Sequence, residues 1–155
     1  MGFLTGKTAI ITGGGRAVLS NGECGSIGYG IATAYAKEGA NLVVTGRNVQ
    51  KLTDAKEELE KKYGIKVLPV QADVSAGSDN EAIVQNVVKQ AIDTFGRIDV
   101  LINNAQASAS GVTIADHTTE QFEAIMQGRE VGDASSTSMF DGFEDGKEDP
   151  KATEE

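Results

Sequence analysis

Apolar and polar positions along the chain change period repeatedly, and each change marks an element. Residues 7–12, KTAIIT, form a short β-branched apolar run that stops at glycine, as a buried strand does. After a long loop, IGYGIATAYAKEGA sets Ile27, Ile31, Ala34 and Tyr35 at helical spacing. The alternation then repeats. NLVVTG (41–46) reads as a strand, NVQKLTDAKEELEKKYG (48–64) as a charged amphipathic helix and KVLPVQAD (66–73) as a strand. A helix over roughly 79–95 and the strand RIDVLINNA (97–105) follow. Glu57 and Lys61, and Glu58 and Lys62, stand four apart in the favourable order, which suits a solvated helix face. Gly39, Gly64 and Gly96 follow helical patterns where a left-handed cap residue is cheap. Strands alternating with helices of this length predict an α/β fold with right-handed crossovers and a parallel sheet. The apolar strand cores IIT, LVV and VLI suit strands covered on both faces.

A further helix begins in HTTEQFEAIM, with Thr118 or Thr119 as cap and Phe122, Ile125 and Met126 as an apolar stripe. Beyond it periodicity fails. Residues 127–155 are rich in glycine, serine and acid, a composition of disorder in which Met139, Phe140 and Phe143 are the sizeable apolar cluster. The division predicted is therefore a domain over 1–126 and an acidic, disordered tail over 127–155.

Composition narrows the functions. A chain of 155 residues suits one domain. The net charge of −9 is uneven: 11 basic against 14 acidic residues up to Met126, and 3 against 9 after it. No basic footprint exists for nucleic acid, and small-molecule partners are favoured. One cysteine, Cys24, and one histidine, His117, support neither an internal disulfide nor the usual zinc site. No apolar run of spanning length or signal-like start is visible, so the expected location is cytoplasmic, with no membrane partner.

The loop between the first strand and first helix is where a βα unit receives phosphate groups: glycines admit the ligand, free amides point at it, and the helix start adds positive potential. The literal GxGxxG spacing is absent, since Gly13, Gly14 and Gly15 are followed by Gly25, Gly28 and Gly30. On that spacing alone, a glycine-rich surface loop without a ligand is the alternative. Position favours the ligand. The second strand ends in TGRN, with Gly46 where a ribose-binding carboxylate would stand, followed by Arg47. That arrangement leans toward NADP over NAD. Arg16 is either a second cation near the same phosphate or a solvated loop arginine.

Taken in order, ITGGG, IGYGIATAYAKEGA, VVTGRN, QADVS, FGRIDVLINNA and TTEQFEAIM resemble the short-chain dehydrogenase/reductases over Lys7 to Met126. The resemblance implies a Rossmann-like three-layer fold with a parallel sheet, here ending after about four strands. It also implies NAD(P) binding and carbonyl or hydroxyl hydride transfer. Thr12 and Gly13 would open the pyrophosphate loop, which continues through Gly15, Arg16, Ser26, Ile27 and Gly28. Arg47 would meet the 2′-phosphate, Asp73 and Val74 the adenine, and Asn103, Asn104 and Ala105 would hold the central sheet and line the cleft. Bland alternatives are a strand-end turn for Asp73 and a hydrogen-bonded loop for the asparagines.

Departures from that pattern matter as much. Twelve residues separate Gly13 from Ser26, nine more than the family loop usually has. SIGYGIA resembles the enoyl-reductase branch, FGRIDVLINNA the ketoacyl and hydroxysteroid reductases, and Gln106 stands where glycine commonly follows NNA. The family's proton-transfer tyrosine needs a lysine four residues on. Here Tyr29 is followed at that distance by Thr33, Tyr35 by Gly39 and Tyr63 by Val67. No asparagine lies over 127–129; Ser108 and Ser110, just beyond the NNA turn, are read as ordinary loop serines with substrate contact as the alternative, and His117 as a helix-start residue with a catalytic role as the alternative. The expectation is thus an incomplete NADP(H)-linked oxidoreductase of this type, catalytically incompetent but retaining the nucleotide site. A non-enzymatic nucleotide-binding or interaction module is the alternative. The usual dimer and tetramer interfaces are not expected, and the apolar VLINNA edge would be left open to self-association.

Overall fold

A computed structural model describes residues 2–74, 79–106, 114–116, 118–124 and 126. Within them the chain alternates β1 (Thr8–Thr12), α1 (Ile27–Lys37), β2 (Asn41–Gly46), α2 (Val49–Tyr63), β3 (Val67–Gln71), α3 (Asn80–Phe95) and β4 (Val100–Ile102). The four strands form one parallel sheet in the order β3-β2-β1-β4. Register pairs Ile10 of β1 with Val43 of β2 on one side and with Leu101 of β4 on the other.

The two-residue period of the strands explains the layering. Ala9 and Ile11 of β1 and Leu42 and Val44 of β2 face α1 and α2, meeting Tyr29, Ala32, Leu52, Ala55 and Leu59. Ile10 and Val43 face the opposite side, packing with Val84, Val87, Val88 and Ala91 of α3. Both faces are covered, which is why IIT and LVV are continuous apolar runs rather than alternating ones. The sheet is parallel and covered by helices, as the element pattern predicts, and the fold is Rossmann-like and three-layered, as the family resemblance implies.

Local chemistry sets the helix ends. Asn48 caps α2 by accepting from Lys51 N at 3.0 Å, and Gly64 closes it in the left-handed region with φ 68°. Gly96 ends α3 at φ 74°, again as a left-handed cap. On α2 the expected Glu58–Lys62 ion pair is present, and a second pair, Lys56–Glu60, joins it. This second pair also protects the outer edge of β3. Leu42 N donates to Lys66 O across the ladder, so Val67 turns its own groups outward. There Glu60 Oε1 accepts from Val67 N at 2.9 Å and Lys56 Nζ donates to Val67 O at 3.0 Å. Pro69, next along that edge, has no N–H to satisfy.

Two expectations meet a different structure. The last strand covers Val100–Ile102 rather than most of 97–105, because Asn104 and Ala105 turn inward to bond Thr12. At the end of the described chain, residues 119–124 are helical and capped reciprocally. Thr118 Oγ1 accepts from Gln121 N at 3.2 Å, and Gln121 Oε1 accepts from Thr118 N at 3.0 Å. Its apolar stripe, however, is not buried: Phe122 and Met126 stand exposed. β4 lies at the sheet edge with Val100, Leu101 and Ile102 half-buried. No helix among the described residues is long and apolar enough to cross a membrane. His117, Ser108, Ser110 and the 127–155 tail lie outside the described residues.

Candidate functional site

In an open parallel sheet, ligands bind beyond the carboxyl ends of the strands, where neighbouring connections leave in opposite directions. Here β1 has β2 on one side and β4 on the other, and a cleft of about 450 Å³ opens at that end. Its walls bring together Gly13, Ser26, Ile27, Gly28, Arg47, Asp73, Val74, Asn104 and Ala105, residues spread over some ninety positions of sequence.

The floor is made by α1. Ser26 caps that helix in extended conformation, its Oγ accepting from Tyr29 N at 3.4 Å. The unpaired amides of the first turn are thereby turned toward the cleft, where an anion is favoured. Backbone approach is close. A Cβ on Gly28 would lie 2.1 Å from Gly13 O and 2.5 Å from Asn104 Nδ2, and Gly13 itself has φ 71°. Glycine is required at both positions.

Behind the floor, Thr12 braces the end of β1 against the end of the edge strand β4. Its Oγ1 accepts from Asn104 N and Ala105 N, each at 2.9 Å, and donates to Ile102 O at 3.3 Å. Asn104 Nδ2 donates in return to Thr12 O at 3.0 Å and to Gly13 O at 3.4 Å. Thr12 is buried and holds the cleft without lining it. Asn103 is half-buried beside the cleft and outside its lining.

The outer wall carries the charge. Arg47 and Asp73 also line an adjoining groove of about 500 Å³ with Asp79, Ile83 and Asn86 of the α3 region. Arg47 is exposed at the mouth, its carbonyl fixed by Gln71 Nε2 at 3.2 Å. Of the described residues lining the cleft, the ionisable side chains are Arg47 and Asp73 alone. Such a set can bind and orient an anion-bearing, ring-bearing ligand; it contains no tyrosine, lysine or histidine to move a proton.

Gly15 and Arg16 lie elsewhere. Gly15 packs against Lys51 and Leu52 of α2, and the Arg16 guanidinium is paired with Glu58 rather than placed beside Arg47. Glu58 is shared with Lys62, and these two cations hold its carboxyl down to about 2. Tyr29 is buried, and desolvation, reinforced by the Glu58 charge, pushes its phenol up to about 12. A phenol that resists ionisation is the reverse of what proton transfer from tyrosine demands.

Residue patterns alone do not single out Thr45, Ala72 or Asn80, and they mark Gln106 only as a departure from the family pattern. Thr45 lines the cleft, and its carbonyl accepts from Gly13 N at 2.9 Å and Gly14 N at 3.1 Å. Its place in TGRN was the available signal. Asn80, buried at the start of α3, donates from Nδ2 to Val74 O and so fixes the segment that bears Asp73.

Known proteins resemble this chain in sequence and in fold. The family described as short chain dehydrogenase matches residues 7–132. The chain is 61% identical over 123 residues to 12α-hydroxysteroid dehydrogenase of a Clostridium species, covering 79% of this chain and 45% of that protein. It is 32% identical over 124 residues to 3β-hydroxysteroid dehydrogenase 2 of Eggerthella lenta, covering 80% and 42%. Among solved structures, L-sorbose reductase from Gluconobacter frateurii, complexed with NADPH and L-sorbose, superposes with TM-score 0.68 at 32% identity, covering 89% of this chain and 47% of that one. The 3-ketoacyl-(acyl-carrier-protein) reductase from Brucella melitensis, complexed with NADH, gives 0.69 at 30% identity, covering 88% and 49%. The chain thus spans a little under half the length of these relatives.

Proposed function

Because this chain belongs to the short chain dehydrogenase family, we propose that its cleft binds the adenosine and pyrophosphate portion of NADP(H), and that the chain as given performs little or no turnover. The observation carrying the first half is that one cleft gathers the α1 N-terminus, the close Gly13–Gly28 approach, Arg47 and Asp73. These residues fit such a cofactor in detail. Amides of the α1 first turn suit a pyrophosphate, and the Gly13–Gly28 contact leaves room that any Cβ would fill. Ile27 and Val74 supply apolar surface, and Asp73 supplies an acceptor for the amino group of an adenine. Arg47 follows a glycine rather than a carboxylate at the end of β2, which favours a 2′-phosphate over a free ribose hydroxyl.

When bound, the nicotinamide cofactor supplies the hydride. This chain's residues would hold and orient the cofactor's adenosine end. The second half of the proposal rests on the missing proton donor: no tyrosine is followed four residues later by lysine, and among the described residues the cleft's ionisable groups are Arg47 and Asp73. Should the protein act as part of a longer enzyme, the names of its hydroxysteroid dehydrogenase relatives make secondary alcohols and ketones on fused rings the first substrates to test. A cytoplasmic setting is part of the same reading.

Titration of the purified chain with NADP(H) and NAD(H), with melting followed in parallel, tests binding. NADP(H) is expected to bind more tightly and to raise the melting temperature, while nicotinamide absorbance stays constant across a panel of carbonyl substrates. A well-folded sample indifferent to both dinucleotides refutes the binding site. Steady turnover refutes the incompetence.

A further inference from the structure

The long segment between Gly13 and Ser26 leaves and rejoins the cleft at nearly the same place. Val18 bridges Cys24 in antiparallel fashion, Leu19 N donates to Glu23 O at 2.8 Å, and Gly22 turns the chain at φ 83°. The base of this excursion is closed by Gly25 N donating to Ala17 O at 2.7 Å. The extra residues are thus looped outward, and the chain re-enters at Ser26, the cap of α1.

What fixes that base is α2. Arg16 N donates to Lys51 O at 2.8 Å, and a Cβ on Gly15 would stand 3.2 Å from Lys51 Cβ. The Arg16 guanidinium then reaches Glu58 two turns further along the helix, where Lys62 shares the carboxylate. Beneath the pair lies the buried hydroxyl of Tyr29 from α1, within electrostatic reach of both charges. Loop, α1 and α2 meet at this one point. A lone exposed ion pair contributes little, but here both the backbone amide and the side chain of one residue are tied to the same helix.

We infer that the Arg16–Glu58 pair is a positioning clasp: by tying the base of the loop to α2 it keeps Gly13 and the Ser26 cap of α1 in the cleft shape that receives a pyrophosphate. The inference rests on the dinucleotide reading above. Arg16 and Glu58 act through the loop and touch no ligand; Lys62 supports Glu58 and touches neither loop nor ligand. The length of the excursion explains the need for such a device. A loop of twelve residues between Gly13 and Ser26 has many conformations open to it, and the clasp removes them before a ligand arrives, so that binding does not have to order the loop.

The test is amide hydrogen exchange on the free full chain, together with NADP(H) titration of the same samples. Glu58→Gln is nearly isosteric and removes the charge; Arg16→Gln breaks the pair from the other side. Both are expected to speed exchange at residues 14–16 while leaving amides within β1 and β2 unchanged. Both should weaken NADP(H) binding about fivefold, equivalent to roughly 1 kcal/mol. Lys62→Met, which leaves the Arg16–Glu58 contact in place, should change neither. A merely structural role would lower the melting temperature without altering affinity measured well below the transition. Unchanged loop exchange, or unchanged affinity, in Glu58→Gln and Arg16→Gln overturns the clasp while the dinucleotide site stands. A wild-type chain that binds neither NADP(H) nor NAD(H) overturns the site, and the clasp's role with it, whatever the exchange shows.

Discussion

Gly28 is the most closely approached of the glycines lining the cleft. Its Cα stands so near Gly13 O and Asn104 Nδ2 that even a methyl group forces α1 away from the strands. Gly28→Ala is expected to cost more than about 2 kcal/mol of stability, since backbone rather than a flexible side chain must move. Chemical denaturation measures the loss, and dinucleotide affinity should fall with it. Arg47 is the opposite case: exposed, and without an ion pair among the described residues. Arg47→Ala should leave the melting temperature within a degree or two and weaken NADP(H) binding about tenfold relative to NAD(H), the usual order for one charge-assisted phosphate contact. Equal affinities for the two dinucleotides in the wild-type chain would remove Arg47 from the phosphate site.

At the scale of elements, the junction of β1 and β4 is held by Asp99. Its carboxylate accepts from Thr8 N at 2.9 Å and pairs with Arg97 and Lys7, while Asp99 N donates to Thr8 O at 2.9 Å. Arg97 foremost, with the Thr8 amide and Lys7, lowers the Asp99 carboxyl to about 2 from the ordinary value of 3.8. A depressed acid stabilises the fold above its unfolded pKa, and that contribution disappears as pH falls from about 4 toward 2. Glu58 behaves likewise between its ordinary 4.5 and about 2. The chain should therefore lose stability steeply below pH 4.5. Asp99→Asn should flatten that acid limb and cost about 1 kcal/mol at neutral pH, solvent screening of the exposed Lys7 and Arg97 having reduced the pair's worth. Unfolding free energies at pH 7, 4 and 2.5 check both statements.

For the whole molecule, a single sheet with a core on each face makes the two cores interdependent. Leu52 of α2 and Val88 of α3 are both buried, on opposite sides of the sheet. Leu52→Ala should cost about 2–5 kcal/mol by leaving a cavity, and Val88→Ala somewhat less. Both should lower one common transition, because losing either helix layer exposes strands the other also needs. Two separable melting steps would contradict this. The sheet's two edges differ. Lys56, Glu60 and Pro69 blunt the β3 edge, whereas β4 is a short strand whose residues are half-buried.

Order along the chain and the ends of α2 and α3 were legible from residues alone, because each depends on neighbours a few positions away. Short apolar, β-branched runs marked β1 to β4, helical spacing marked α1 to α3, and Gly64 and Gly96 marked where α2 and α3 stop. The cleft's principal lining was legible for a related reason: Gly13, Gly28, Arg47 and Asp73 stand at strand and helix ends, and a parallel sheet brings those ends together. Tertiary structure alone decided what each long side chain does. Arg16 has several carboxylates to choose from in sequence and takes Glu58, 42 residues away, because α2 passes beneath the loop. Thr12 looks like a strand-end residue until Asn104 and Ala105 arrive from 92 and 93 positions on. Phe122 belongs to an apolar stripe, yet stands exposed. Local spacing sets which face a residue is on; only the packing of distant segments sets what that face meets.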